Sequence, residues 1–163
     1  MLAEFTGATK TSAYYSDLVN MSEGLAGRQE KKVLPDFTLL QRDSFPFTLS
    51  SLRDKYILID FWASWYVPCR KAIPYWKQVY AKYNPRALEM VSVSNDRYWG
   101  NWIEALEKEQ MPWIQIVDEF LSENEGARIS DLFKIPSFPF YILVDKNVEV
   151  ITSSTDEEVI TQN

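Results

Sequence analysis

The sequence contains no histidine and only one cysteine. One cysteine cannot close an intrachain disulfide, which excludes the small secreted scaffolds that are stapled by them. Without histidine there is no Ser-His-Asp triad, no Cys-His pair and no imidazole-based metal site. Basic residues are also scarce: 17 Lys and Arg stand against 23 Asp and Glu, for a net charge of −6. No basic patch stands out to neutralise phosphates, so a nucleic-acid partner is not expected. No apolar run is long enough to cross a bilayer. The opening MLAEFTGATKTSAYYSDLV lacks a basic segment followed by an apolar stretch, so no secretory leader is read there. A chain already trimmed of its leader reads the same way, and composition is neutral on compartment. Internal repeats and low-complexity segments are also missing.

What is present suits one globular core. Hydrophobic residues make up 46% of the 163 positions and charged residues 25%, which argues against disorder. The aromatics are dense, with six Trp, nine Tyr and nine Phe, and most are read as core. Apolar residues three or four apart over 11–30 predict an amphipathic helix, followed by a polar linker. This sets residues 1–32 apart as an N-terminal extension from a domain over 33–163. Val33 to Leu39 alternates like a strand, and Thr48 to Leu52 resembles a second extended piece. Tyr56 to Trp62 is apolar on both faces apart from Asp60, the mark of a central strand covered on both sides. Pro68 to Tyr83 predicts a helix kinked at Pro74. A strand over 87–94 and a helix over 101–110 follow. Next come a short extended piece at 113–117 and a helix over 124–133. A strand over 140–145 turns at Lys146-Asn147 into another at 148–151, and a last short helix starts near Thr155. This order implies an α/β fold, a central mixed β-sheet with helices on both faces.

Four separated features combine. Asp60 lies in the central strand, Pro68-Cys69 opens the next helix, Pro74 lies five residues further on, and Phe138-Pro139 precedes a strand. With Leu34-Pro35-Asp36-Phe37 and Val91-Ser92-Val93-Ser94-Asn95-Asp96, they resemble the thioredoxin superfamily over roughly 33–152. The likeness is to its TlpA/ResA-type thiol-disulfide oxidoreductases, related to the alkyl hydroperoxide reductase/thiol-specific antioxidant group. It implies a thioredoxin-like fold, a thiol partner or substrate, and a periplasmic or otherwise extracytoplasmic location. In that family a first cysteine caps the helix, where the dipole favours thiolate, and attacks a disulfide. A second, more buried cysteine resolves the mixed disulfide.

By position, the resemblance makes Cys69 the resolving thiol, Asp60 the buried carboxylate and Pro139 the cis proline facing the pair. Tyr66 occupies the place of the nucleophile, and a phenol cannot exchange a disulfide. The dithiol cycle is therefore expected to be lost or strongly reduced. A groove formed by Trp65, Tyr66, Phe138 and Pro139 is expected to remain, to bind a protein or peptide partner. Two further readings stay open. One is a monothiol exchange protein using Cys69 with an external thiol; the other is a structural module of a longer envelope protein. Each residue also has a plain reading: Cys69 as a small core residue, Asp60 as a retained buried acid, Tyr66 as an aromatic filling the vacated place. Peroxidase chemistry is disfavoured, because Cys69 does not align with the peroxide-attacking position of the related group. No cofactor is called for. Asp96, Asp118 and Glu119 are read as solvated loop carboxylates rather than metal ligands.

Overall fold

A computed structural model describes residues 32–161. The helix expected over 11–30, and with it all of the N-terminal extension before Lys32, lies outside the described residues. The seven-residue apolar run forms strand β3 (Tyr56–Trp62), the third strand from one edge of a seven-stranded sheet. Around it the sheet is ordered β2 (Pro46–Thr48), β1 (Thr38–Gln41), β5 (Ile114–Val117), β4 (Leu88–Ser94), β3, β6 (Phe140–Val144), β7 (Val150–Ser154). Strands β3, β4 and β5 run parallel, and the remaining pairings are antiparallel. The sheet is therefore mixed, and its three parallel strands send their following loops to one common edge.

The period of two along β3 divides its side chains between two cores. Leu58 and Trp62 face one cluster, with Met90, Tyr141 and Leu143 from the neighbouring strands. Helices α1 (Val67–Tyr83), α2 (Trp99–Glu109) and α4 (Glu157–Thr161) cover this side with Trp76, Trp102 and Ile160. Ile57, Ile59 and Phe61 face the other cluster, with Phe37, Leu49, Val93 and Ile142. The short helix α3 (Arg128–Leu132) adds Ile129 there. Asp60 falls on the same face as Leu58 and Trp62, which directs it beneath α1.

Helix α1 starts one residue earlier than the pattern predicts. Pro68 lies in its first turn, where a missing N–H costs nothing. It runs unbroken through Pro74, whose ring removes the N–H that would bond the Arg70 carbonyl. Its buried residues are Cys69, Ala72, Ile73, Trp76, Val79 and Tyr83, while Tyr75 and Tyr80 are only half-buried.

Three expectations are corrected. The alternation at Val33–Leu39 yields a strand only from Thr38; before it, Val33 forms an isolated bridge to Glu149. Asp36 interrupts the ladder by accepting hydrogen bonds from the Phe37 and Ser50 N–H groups. The extended piece at 48–52 ends at Thr48, and Leu49–Leu52 is a 3-10 turn that buries both its leucines. The helix expected over 124–133 shrinks to Arg128–Leu132. Ala127 is spent on a bridge to Phe120, and a Cβ at Gly126 would run into the Asp131 carboxylate.

Helix α3 has no capping side chain of its own. Asp118, at the end of β5, substitutes for one. Its Oδ1 accepts from the Ile129 N–H at 2.9 Å, and its Oδ2 accepts from the Ser130 N–H at 2.8 Å and the Ser130 hydroxyl at 2.9 Å. Asp118 is buried, so its removal strands those donors away from water. Asp118→Ala is expected to cost about 2–4 kcal/mol in urea unfolding. Its largest loss of amide-exchange protection is expected at residues 128–131. A cost no larger than that of an exposed substitution such as Glu123→Ala would contradict this.

Candidate functional site

The site lies where β3 gives way to α1. The Ala63 carbonyl accepts from the Tyr66 N–H at 3.2 Å, and the Tyr66 carbonyl accepts from the Cys69 N–H at 3.1 Å. These two turns bring the chain round so that Tyr66 takes the position that caps α1, with extended backbone angles (φ −100°, ψ 108°). Its side chain makes no capping hydrogen bond. The phenol is 39% exposed, and the neighbouring Trp65 is 62% exposed. Their ring centroids lie 5.9 Å apart, so the two form one aromatic lip. Cys69, three residues on, points the other way and is only 3% exposed.

Below Cys69 is a polar layer on the α1 side of the sheet. Asp60 pairs in register with Ser92 of β4 and Tyr141 of β6. The Ser92 hydroxyl donates to Asp60 Oδ2 at 2.8 Å, and the Trp113 indole N–H donates to the Ser92 oxygen at 2.8 Å. Asp60, Ser92 and Trp113 are all buried. Among the described residues the carboxyl group thus has the Ser92 hydroxyl as its donor, and its burial takes it largely out of solvent. Burial raises its pKa from 3.8 to about 7, against which the Ser92 hydrogen bond is the smaller, lowering effect. Burial likewise pushes the Cys69 thiol up to about 12; the Asp60 charge adds to this, while a hydrogen bond with the Ala63 backbone opposes it. The Tyr141 phenol is also raised, first by burial and then by Asp60. The helix dipole that would favour a thiolate is overridden here by desolvation.

The loop carrying Trp65 is fixed from beneath by Asp96. This buried carboxylate accepts from the Ser64 N–H at 2.9 Å and the Ser64 hydroxyl at 2.5 Å, and it also binds the Ser94 hydroxyl. The Asn95 N–H donates to the Trp62 carbonyl at 2.7 Å. Asp96 and Asp118 are therefore held by serines and backbone N–H groups, and among the described residues no cluster of three acidic or sulfur ligands could hold a metal ion. Ser64, Ser92 and Trp113 are site residues that sequence reasoning missed. The signal for Ser92 was the alternation Val91-Ser92-Val93-Ser94, which lines a polar face inside a fully buried strand.

The Phe138–Pro139 bond is cis. One register step beyond the Phe61–Phe140 pair places Pro139 beside Trp62, at the edge where the loop begins. Phe138 is half-buried and packs against both cores, so part of its ring serves the interior rather than the lip. The structure thus brings Asp60 and Cys69 into one buried layer and sets Trp65 and Tyr66 outside it.

Comparison with known proteins follows the same segments. A family profile described as thioredoxin-like matches residues 54–150. The chain is 29% identical over 125 residues to the thiol-disulfide oxidoreductase ResA of Oceanobacillus iheyensis, covering 71% of this chain but only 59% of that protein. It is 22% identical over 158 residues to the ResA of Bacillus cereus, covering 97% of this chain and 84% of that one. Among solved structures, the thioredoxin domain of a thiol-disulfide oxidoreductase from Bacteroides vulgatus superposes with a TM-score of 0.70 at 25% identity, over 83% of this chain and 94% of the other.

The raised Asp60 pKa has a consequence for stability. The folded protein holds this proton more tightly than the unfolded chain does. The corresponding stability is intact below pH 3.8, is lost as the pH climbs to about 7, and stays lost above that. Asp60→Asn keeps an acceptor for Ser92 and removes the titration. It is expected to stabilise the protein at pH 8 by up to about 4 kcal/mol and to be near neutral at pH 4. Urea unfolding at both values checks this; an equal effect at pH 4 and pH 8 would refute the assignment.

Proposed function

The chain belongs to the thioredoxin-like family, as a TlpA/ResA-like member, and from that premise we propose that it binds a protein partner through the lip over Cys69 without running a dithiol cycle. The carrying observation is the exchange of roles between two positions. The accessible place that caps α1 holds the phenol of Tyr66, and the one sulfur lies buried beneath with its pKa pushed to about 12. Disulfide exchange requires an accessible thiolate to attack and a second thiol to resolve the mixed disulfide. Tyr66 offers neither sulfur nor a leaving group. The same two facts about Cys69 weigh against a monothiol route, because an external disulfide would have to reach a protonated, covered thiol.

In this reading Trp65 and Tyr66 supply flat apolar contact area with a polar tip, and Pro139 and the outer part of Phe138 form the opposing wall. Asp60 and Cys69 then serve the interior. The likeness to the ResA-type relatives supports a place outside the cytoplasm, where a polypeptide partner containing thiols or disulfides would be met.

The test is restoration. In the insulin-reduction assay with dithiothreitol, the parent protein is expected to match the uncatalysed rate. Tyr66→Cys rebuilds Cys-x-x-Cys at the capping position and is expected to raise the rate by about tenfold or more. Substantial catalysis by the parent would overturn the proposal. A parent and variant that are both inactive would mean the lip no longer admits an extended polypeptide, which overturns the binding half of it.

A further inference from the structure

A second recognition feature lies on the same edge of the sheet, away from Cys69. Beyond Asp96 the chain continues through Arg97 to Tyr98 and Trp99, where α2 begins. These residues and the loop after β5 enclose an open cleft of about 830 Å³. Tyr98 is 70% exposed and Trp99 is 37% exposed. Trp99 is braced by an edge-to-face contact with the buried Trp102, ring centroids 5.6 Å apart, so its outer face is presented on a rigid base.

The charges around this cleft are unequal. Asp118, Glu119 and Glu123 line it, against the single lining cation Arg97. Arg97 is already engaged. Its two terminal nitrogens donate to the Ser122 and Glu125 carbonyls at 2.9 and 3.0 Å, and its guanidinium lies 4.2 Å from the centre of the Phe120 ring. Glu119 is paired with Arg128 at 2.8 Å, and the Asp118 oxygens accept from backbone and serine donors. This leaves Glu123, exposed and, among the described residues, without an ion-pair partner, facing the same space as the Tyr98 and Trp99 rings. The wall already shows how it handles a guanidinium, by stacking Arg97 on Phe120 beneath backbone carbonyls.

We propose that this cleft receives a basic side chain of a partner polypeptide, held between the Tyr98 and Trp99 rings and the Glu123 carboxylate. Aromatic faces attract a cation through the ring quadrupole, and a nearby carboxylate adds a screened ion pair. The net charge of −6 favours the approach of a basic segment from a distance. Ser64, bonded to Asp96, ties this cleft to the loop that carries Trp65, so both features ride on one rigid rim. The inference does not depend on the reading of Tyr66.

The probe is the capped tripeptide Ac-Ala-Arg-Ala-NH2, titrated into the full-length protein and followed by amide and indole NMR shifts. Its control is the same peptide with citrulline, which keeps the shape of arginine and removes the charge. The arginine peptide is expected to shift Tyr98, Trp99 and residues 119–123 with a dissociation constant on the order of millimolar. The citrulline peptide, Glu123→Gln and Tyr98→Ala are each expected to weaken binding by about fivefold or more, and added salt to weaken the arginine peptide alone. Equal binding of the two peptides would overturn the proposal. So would wild-type affinity in both variants, or no shift at Tyr98 and Trp99 at ~20 mM peptide. Backbone spectra of the variants establish that they remain folded. Because the titration reads only this cleft, its failure leaves the insulin experiment untouched, and the reverse holds too.

Discussion

Helix α1 packs on the face of the sheet that carries Leu58, Asp60 and Trp62, and the site's chemistry follows from that packing. The contact puts Trp76 and Ile73 into the core and carries Cys69 down with them. It closes water off from Asp60, leaving the Ser92 hydroxyl as its hydrogen-bond donor. Both acids are consequently held protonated far more strongly than in solvent. Cys69 lies in the first turn of the helix, three residues past the capping position, and what stands at that position is left in the open. That residue is Tyr66.

The edge around this site is organised by two buried carboxylates and one guanidinium rather than by sulfur. Asp96 ties the loop after β3 to the loop after β4 through Ser64. Arg97 ties the loop after β4 to the loop after β5 through the Ser122 and Glu125 carbonyls. Asp118 fixes α3 to the end of β5. Parallel strands place all three loops on one side, and these ties hold them there as a single rim. The rim presents Trp65, Tyr66, Tyr98 and Trp99 as exposed aromatics on a rigid base. That arrangement suits recognition, because the loops that carry these rings are already tied down and little loop entropy remains to be lost on binding.

Much of this was legible in the residues. The unbroken apolar run with one acid identified β3 and its central place, because only a strand covered on both faces can afford that pattern. The proline and cysteine after it located the start of α1, and the family likeness followed from these features and Phe138-Pro139. Elements set by tertiary contacts were not legible. The reach of α3 depends on Asp118, which caps it from the end of β5, and on the contact of Gly126 with the Asp131 carboxylate, neither of which is a hydrophobic-period signal. Leu49–Leu52 coils because its leucines find the core that way, which local propensity does not record. Val148 closes the Lys146-Asn147 turn. It holds φ at 62°, pinned by the Asp145 carboxylate, which accepts from the Asn147 and Glu149 N–H groups. A β-branched residue is a poor sequence signal for that conformation. Within the site, the Asp60–Ser92–Trp113 chain runs from β3 through β4 to the residue just before β5, and becomes visible only once the strand register is known.

The most direct test of the central claim is the pH dependence of Cys69 alkylation in the native protein, measured with iodoacetamide and mass spectrometry. The account predicts a rate below about 1% of that of the urea-unfolded chain at pH 8, with no thiolate inflection before the protein itself unfolds at high pH. A native rate close to the unfolded one, with an inflection at or below the ordinary thiol value of about 8.5, would show an accessible, activated sulfur and contradict it.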